Sequence, residues 1–287
     1  MQTSEDNIKI TEQFISLEKI IASKNKNLLR FIPKPLLNAF KKFICLNRIN
    51  EIIYKYRDCK GVDFADAVLK ELNITLQITN PDNIPSQGRP IIVANHPIGS
   101  VDGMGLISTM GRYRRDILFP VNDILCQLPG LRSVFVPINK YGRNTENHNA
   151  LNNAFEGGSA VCFFPAGTES KIIDGKLQDF AWKKTFITKA QQFRRNIVPV
   201  YIEGGNSKAF YRFSKVRRFF GIKFDLEMIM LPRELFKQAG KNIKLTFGKA
   251  IPYTELDKRY NALQWADKIR TYVYQLQTDN NAVFSVQ

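Results

Sequence analysis

From residue 74 onward, short apolar runs alternate with longer amphipathic stretches. The runs Ile74–Ile78, Pro90–Asn95, Ile117–Pro120, Val134–Ile138, Ala160–Phe164, Ile197–Glu203, Leu226–Leu231 and Ile243–Phe247 read as strands. Pro90-Ile91-Ile92-Val93-Ala94 holds no polar side chain, the mark of a strand covered on both faces. Between the runs, Asp102–Thr109, Asn147–Glu156, Ala181–Phe193, Arg233–Gln238 and Glu255–Gln275 read as helices. The last of these puts Ala262, Trp265, Ala266, Ile269, Tyr272 and Val273 on one face. This alternation predicts an α/β fold with a mainly parallel central sheet flanked by helices. Ahead of it, Ile8 to Tyr56 reads as two or more helices broken near Pro33 and Pro35, and Phe64 to Leu72 as a short one. The expected organisation is an amphipathic helical module for membrane contact over 1–62 and an α/β domain over 63–287.

Charge sharpens this picture. The 287 residues carry 42 Lys and Arg against 26 Asp and Glu, a formal net charge of +16. Such a balance implies an anionic partner. Nearly all of it sits in two places. Lys24 to Lys60 has ten bases against Glu51 and Asp58, and Lys208 to Lys223 has six bases and no acid. The first segment also carries Leu36, Leu37, Phe40, Phe43 and Ile44 at helical spacing; the second interleaves Phe210, Tyr211, Phe213, Phe219, Phe220 and Phe224 with its bases. Basic amphipathic helices with aromatics suit a lipid interface. Each base near an anionic leaflet contributes about 1 kcal/mol. The same pattern also fits an ordinary core face with a solvated rim, or a surface that stacks nucleic-acid bases, although neither segment contains a nucleic-acid motif. No apolar run approaches the roughly 18 residues of a membrane span, and no apolar leader follows Met1. Cys45, Cys59, Cys126 and Cys162 have neither CxxC spacing nor a nearby His cluster, so they read as reduced thiols rather than metal ligands. The expected location is peripheral, on the cytoplasmic face of the inner membrane.

The chemistry concentrates at the ends of the apolar runs. Asn95-His96-Pro97-Ile98-Gly99-Ser100-Val101-Asp102-Gly103 delivers a histidine from a strand, with an aspartate six positions later. A carboxylate that holds one ring nitrogen leaves the other free to take a proton from a nucleophile, so the pair can act as a general base. Val134-Phe135-Val136-Pro137-Ile138-Asn139-Lys140 ends in a base, with Arg143 close behind. Val161-Cys162-Phe163-Phe164-Pro165-Ala166-Gly167-Thr168-Glu169-Ser170 stops at a proline and opens into a small-residue loop. Ile197-Val198-Pro199-Val200-Tyr201 runs into Ile202-Glu203-Gly204-Gly205-Asn206-Ser207, where Glu203 and Asn206 either line a site or simply close a strand. Ligands of α/β sheets sit beyond the carboxyl ends of strands, which is where His96, Lys140 and the Gly167-Thr168 loop fall. Backbone N–H groups near Gly167 are candidates for holding a developing oxyanion.

Taken in order, these four blocks resemble those of the glycerophospholipid acyltransferase superfamily, over roughly residues 70 to 250. That family usually places four residues between its His and Asp. Here there are five, followed by Gly, a form similar to the branch that acylates lyso-ornithine and lyso-glycine lipids in bacteria. The resemblance implies an O-acyltransferase with His96 as base and Asp102 orienting it. Asn139, Lys140, Arg143, Phe164, Pro165, Gly167 and Thr168 become substrate-binding candidates. It implies an acyl carrier protein or coenzyme A thioester as co-substrate, a lyso-lipid acceptor and an anionic membrane surface as partners. It implies no cofactor, metal or nucleic acid. Two departures bear on the acceptor. Ala166 and Glu169 stand where phosphatidate-forming members have Glu and Arg, and Lys140 replaces an Arg. A carboxylate in place of a cationic fork disfavours a phosphate, so an N-acylated amino acid is the expected acceptor. The competing readings are a lysophosphatidate acyltransferase and a non-catalytic protein that binds anionic lipid or nucleic acid.

Overall fold

The computed structural model describes residues 14–24, 32–122, 125–138, 145–220 and 230–285, except the side chains at 19, 20, 23, 24, 100, 145–148 and 218. The strands are β1 (Thr75–Thr79), β2 (Ile91–Ala94), β3 (Ile117–Asn122), β4 (Phe135–Ile138), β5 (Ala160–Phe163), β6 (Lys171–Ile173), β7 (Lys176–Gln178), β8 (Ile197–Ile202) and β9 (Asn242–Phe247). Seven of them form one sheet in the order β1-β9-β8-β2-β5-β3-β4. Every pairing in it is parallel except β8 with β9. The helices are α1 (Leu17–Lys24), α2 (Lys34–Phe43), α3 (Leu46–Lys55), α4 (Val62–Glu71), α5 (Ser100–Gly111), α6 (Thr145–Glu156), α7 (Thr185–Phe193), α8 (Lys208–Phe219), α9 (Leu231–Phe236) and α10 (Ala262–Gln275).

The apolar runs are continuous because the sheet is covered on both faces. Side chains alternate across a strand. Ile92 and Ala94 of β2, Cys162 of β5 and Val200 of β8 therefore join one core with α3, α4 and α5. Ile91, Val93, Val161 and Tyr201 join a second core with α7 and α10. Burying each such Val or Ile contributes about 1.5–3 kcal/mol. Arg195 stitches the far edge of this sandwich. Its buried guanidinium donates to the carbonyls of Phe155, Ala154, Gly157, Ser159 and Arg89, tying the end of α6 to the starts of β2 and β5. At the N-terminal end, Ile52 and Ile53 of α3 belong to the first core, while Leu17, Leu37, Ile44 and Leu46 form a small cluster of their own.

Several expected boundaries shift for local reasons. The final helix starts at Ala262 rather than Glu255. Asn261 caps it by accepting from Leu263 and Gln264 N–H, and Tyr253–Glu255 forms a separate 3-10 turn. The helix expected from Ala181 begins at Thr185. Of the expected strand Leu226–Leu231, residues 226–229 lie outside the described residues, and Leu231 opens α9 instead. Sequence reasoning passed over the hairpin of β6 and β7. Its signal was present: Asp174-Gly175, at φ of 51° and 76°, is the pair that a two-residue type I′ turn requires.

Candidate active site

β2 lies mid-sheet between β5 and β8, so the loops leaving all three carboxyl ends converge. Asn95 locks the first of these exits. Its side chain donates to the Ile202 carbonyl at 2.9 Å and accepts from the Ile202 N–H at 2.7 Å, continuing the β2–β8 ladder with a carboxamide. His96 follows. Gly99 then turns the chain into α5 at φ 95°, a conformation glycine adopts readily. A side chain there would also fall 2.9 Å from Leu231 Cδ2 and 3.4 Å from Glu169 Cγ.

This turn folds Asp102 back onto the histidine. One carboxylate oxygen, Oδ2, stands 2.9 Å from His96 Nδ1 and accepts the backbone N–H groups of Ile98 at 2.8 Å and Gly99 at 2.9 Å. Asp102 serves as both helix cap and histidine partner, and its side chain is wholly buried. His96 keeps 15% of its side chain exposed. Its ring lies against Phe164, centroids 4.1 Å apart and planes 15° from parallel. Burial disfavours the charged imidazole, but the hydrogen bond it donates to Asp102 and the charges of Asp102, Glu169 and Asp179 outweigh it and raise the pKa above its ordinary value. With Nδ1 committed to Asp102, Nε2 is the nitrogen left for a proton acceptor's role.

The backbone of His96 is held from both directions. Its N–H donates to Asp179 Oδ1 at 3.2 Å, and its carbonyl accepts the Ser170 N–H at 2.7 Å. The Ser170 hydroxyl also donates to Asp179 Oδ1, and Trp182 Nε1 donates to Oδ2 at 2.8 Å. Asp179 is in turn fixed by α10: its N–H donates to the Tyr274 hydroxyl at 2.7 Å and its carbonyl accepts from Arg270 at 2.7 Å. Burial pushes the Asp179 carboxyl up, against the donors from Ser170, Trp182 and His96. Asp179, Trp182, Arg270 and Tyr274 were not selected from sequence, because no local pattern marks a contact across some eighty residues.

The other sequence candidates divide. Phe164 forms the wall behind the imidazole, and Pro165 follows in the turn after β5 with its carbonyl taken by Lys183 N–H at 3.0 Å. The Gly167 N–H closes the turn onto the Phe164 carbonyl at 3.0 Å and so is already used within the turn. The Thr168 hydroxyl donates to Glu169 at 3.2 Å. Glu169 itself is buried, with Lys171 Nζ 3.7 Å away over the Phe210 ring. It therefore presents no bare charge to a substrate; what the exchange removes is a guanidinium fork. Asn139, Lys140 and Arg143 lie outside the described residues.

The two basic–aromatic segments meet in space. Phe40 and Phe43 of α2, Ala209 and Phe213 of α8, Met230, Arg233 and Lys237 line one groove of about 530 Å³. Arg233 lies over the Phe43 ring at 4.6 Å, and Phe219 and Phe220 stand 85% and 70% exposed at the end of α8.

A buried Asp–His pair at the carboxyl end of a central parallel strand, beside a small-residue turn, defines a class of site built for proton removal. An acyltransferase family model matches residues 19–282. A lyso-glycine lipid O-acyltransferase of Bacteroides thetaiotaomicron is 36% identical over 264 residues, covering 91% of this chain and 97% of that protein. A protein of the same name from Phocaeicola vulgatus is 34% identical, covering 91% and 95%. The crystal structure of the 1-acyl-sn-glycerophosphate acyltransferase PlsC from Thermotoga maritima superposes at a TM-score of 0.45 with 17% identity, covering 91% of this chain and 98% of that one. The chain belongs to the acyltransferase family and is an acyltransferase.

Proposed function

We propose that this acyltransferase moves a fatty acyl group from a thioester of acyl carrier protein or coenzyme A to the hydroxyl of a monoacylated aminolipid, a lyso-glycine lipid in the first instance. The observation that carries the reading is the His96–Asp102 pair, 2.9 Å apart, at the carboxyl end of β2. His96 Nε2 takes the acceptor's hydroxyl proton as the oxygen attacks the thioester carbonyl. The tetrahedral oxyanion collapses, the carbon–sulfur bond breaks, and the imidazolium returns the proton to the departing thiolate. Asp102 offsets the charge on the ring during the step. The names of the two relatives, each matched over nearly its whole length, support the acceptor class.

Peripheral attachment to an anionic bilayer on its cytoplasmic face belongs to the same reading. The shared groove of α2 and α8 and the exposed Phe219 and Phe220 support it. No helix among the described residues is long and apolar enough to cross a membrane.

The test supplies labelled acyl thioester with either a lyso-glycine lipid or lysophosphatidate. The aminolipid is the expected acceptor, and His96→Ala is expected to abolish transfer while leaving the thermal melt in place. Preference for lysophosphatidate would overturn the acceptor assignment, and an active His96→Ala variant the mechanism.

A further inference from the structure

The loop leaving β8 lies directly on the His96 turn. Gly204 adopts φ 145°, and a Cβ there would fall 2.5 Å from Ile98 Cδ1, so the Ile98 side chain of the His96 turn packs where a side chain at 204 would stand. The Asn206 N–H donates at 2.8 Å to the Tyr211 hydroxyl, which lies 3.5 Å from the carbonyl of Pro97, the residue after His96. Burial, together with the charges of Asp102, Glu234 and Glu169, pushes that hydroxyl up to about 12, so it stays protonated. On the other side, Ser207 N–H and its hydroxyl both bond the Glu234 carboxylate, at 2.6 and 2.8 Å. The backbone on either side of Asn206 is thus fixed beside the catalytic turn.

Between these anchors, the Asn206 carboxamide is unused. Both Oδ1 and Nδ2 are shut off from solvent and hydrogen-bonded to nothing among the described residues. Native proteins pair the large majority of such buried groups, and an asparagine carries an acceptor and two donors on one small plane. The residue as a whole is partly exposed, and a ligand would be met by rotation of its side chain.

We propose that Asn206 is a substrate-binding residue that recognises a secondary amide, Oδ1 accepting its N–H. An N-acylated amino acid contains such a linkage and a glycerol ester lacks its N–H; a site built around a hydrogen bond rejects the analogue without the partner. This rests on the aminolipid reading given above. The pantetheine arm of the thioester donor contains the same chemistry, so the amide has two possible sources.

Removal of an unpaired buried amide leaves no broken bond behind, so Asn206→Ala is expected to fold with an unchanged or raised Tm. In the same variant, KM for the amide-bearing substrate should rise about 10-fold, the loss of one good hydrogen bond. Three probes separate the sources: a glycine N-acylated with a hydroxy fatty acid as acceptor, the same acceptor with an ester in place of its amide, and a simple alkyl thioester donor without amides. If the acceptor's amide is read, wild type favours amide over ester and Asn206→Ala loses that preference with either donor. If the donor's amide is read, the effect of Asn206→Ala disappears with the alkyl thioester. A lowered Tm with unchanged KM for both substrates would overturn the proposal and make Asn206 structural. If wild type acylates no aminolipid, the functional reading fails; the comparison of donors, run on whichever acceptor is used, still decides Asn206.

Discussion

Replacing Asp102 with Asn tests the pair that the chemistry depends on. One oxygen of Asp102 receives three donors at 2.8–2.9 Å: the imidazole and the N–H groups of Ile98 and Gly99. The Asn carbonyl can keep the two backbone donors, so the turn should survive; the charge facing the ring is what disappears. A hydrogen bond to a charged group is worth about 1.5–3 kcal/mol, which is about 10- to 150-fold in rate. The pH profile carries a second signature. The base must be neutral, so kcat/KM rises with pH through the His96 pKa, which Asp102 helps hold above its ordinary value against burial. In Asp102→Asn the acidic limb should move to lower pH as the plateau falls. Stability changes with the opposite emphasis. A raised histidine pKa contributes stability that is fully present below the unfolded value and is lost as pH rises through the folded one. The variant should therefore lose more Tm near pH 5.5 than at pH 8. Steady-state kinetics from pH 5 to 9 and melts at the two pH values read all three effects. A variant with wild-type rate and an unmoved limb would refute the general-base argument.

Two further outcomes follow from geometry. Gly99→Ala should lower stability by about 1–3 kcal/mol and activity more steeply, because the new methyl meets Leu231 at a φ that disfavours it; Gly103→Ala, in the open interior of α5, should be neutral or slightly stabilising in the same melt. Phe219→Ser with Phe220→Ser should weaken sedimentation with anionic vesicles while leaving the melt unchanged, and equal binding to neutral vesicles would count against the lipid-facing assignment of α8.

The sheet was legible because its strands are buried on both faces, which writes them as unbroken apolar runs such as Ile91–Ala94. The histidine and its aspartate were legible because they share one turn. What sequence could not reveal is held together across the chain. The carboxylate of Asp179 reaches His96, and Tyr211 of α8 reaches Pro97. Each contact joins segments more than eighty residues apart that the strand order brings together, and strand order has no local code. The partner of the Gly167 N–H was not legible either: a small residue after a strand signals a tight turn equally well whether its N–H points at a ligand or, as here, closes the turn.

Asp179 has a consequence beyond the imidazole it steadies. Through Tyr274 and Arg270 it joins α10 to the catalytic turn, with two hydrogen bonds in series between them. Synthesis reaches α10 well after His96 and Asp102, so the histidine acquires its final seating only once the growing chain has passed Tyr274. A shortened chain that ended before Ala262 would keep every residue of the proton-transfer pair and still leave it unmoored.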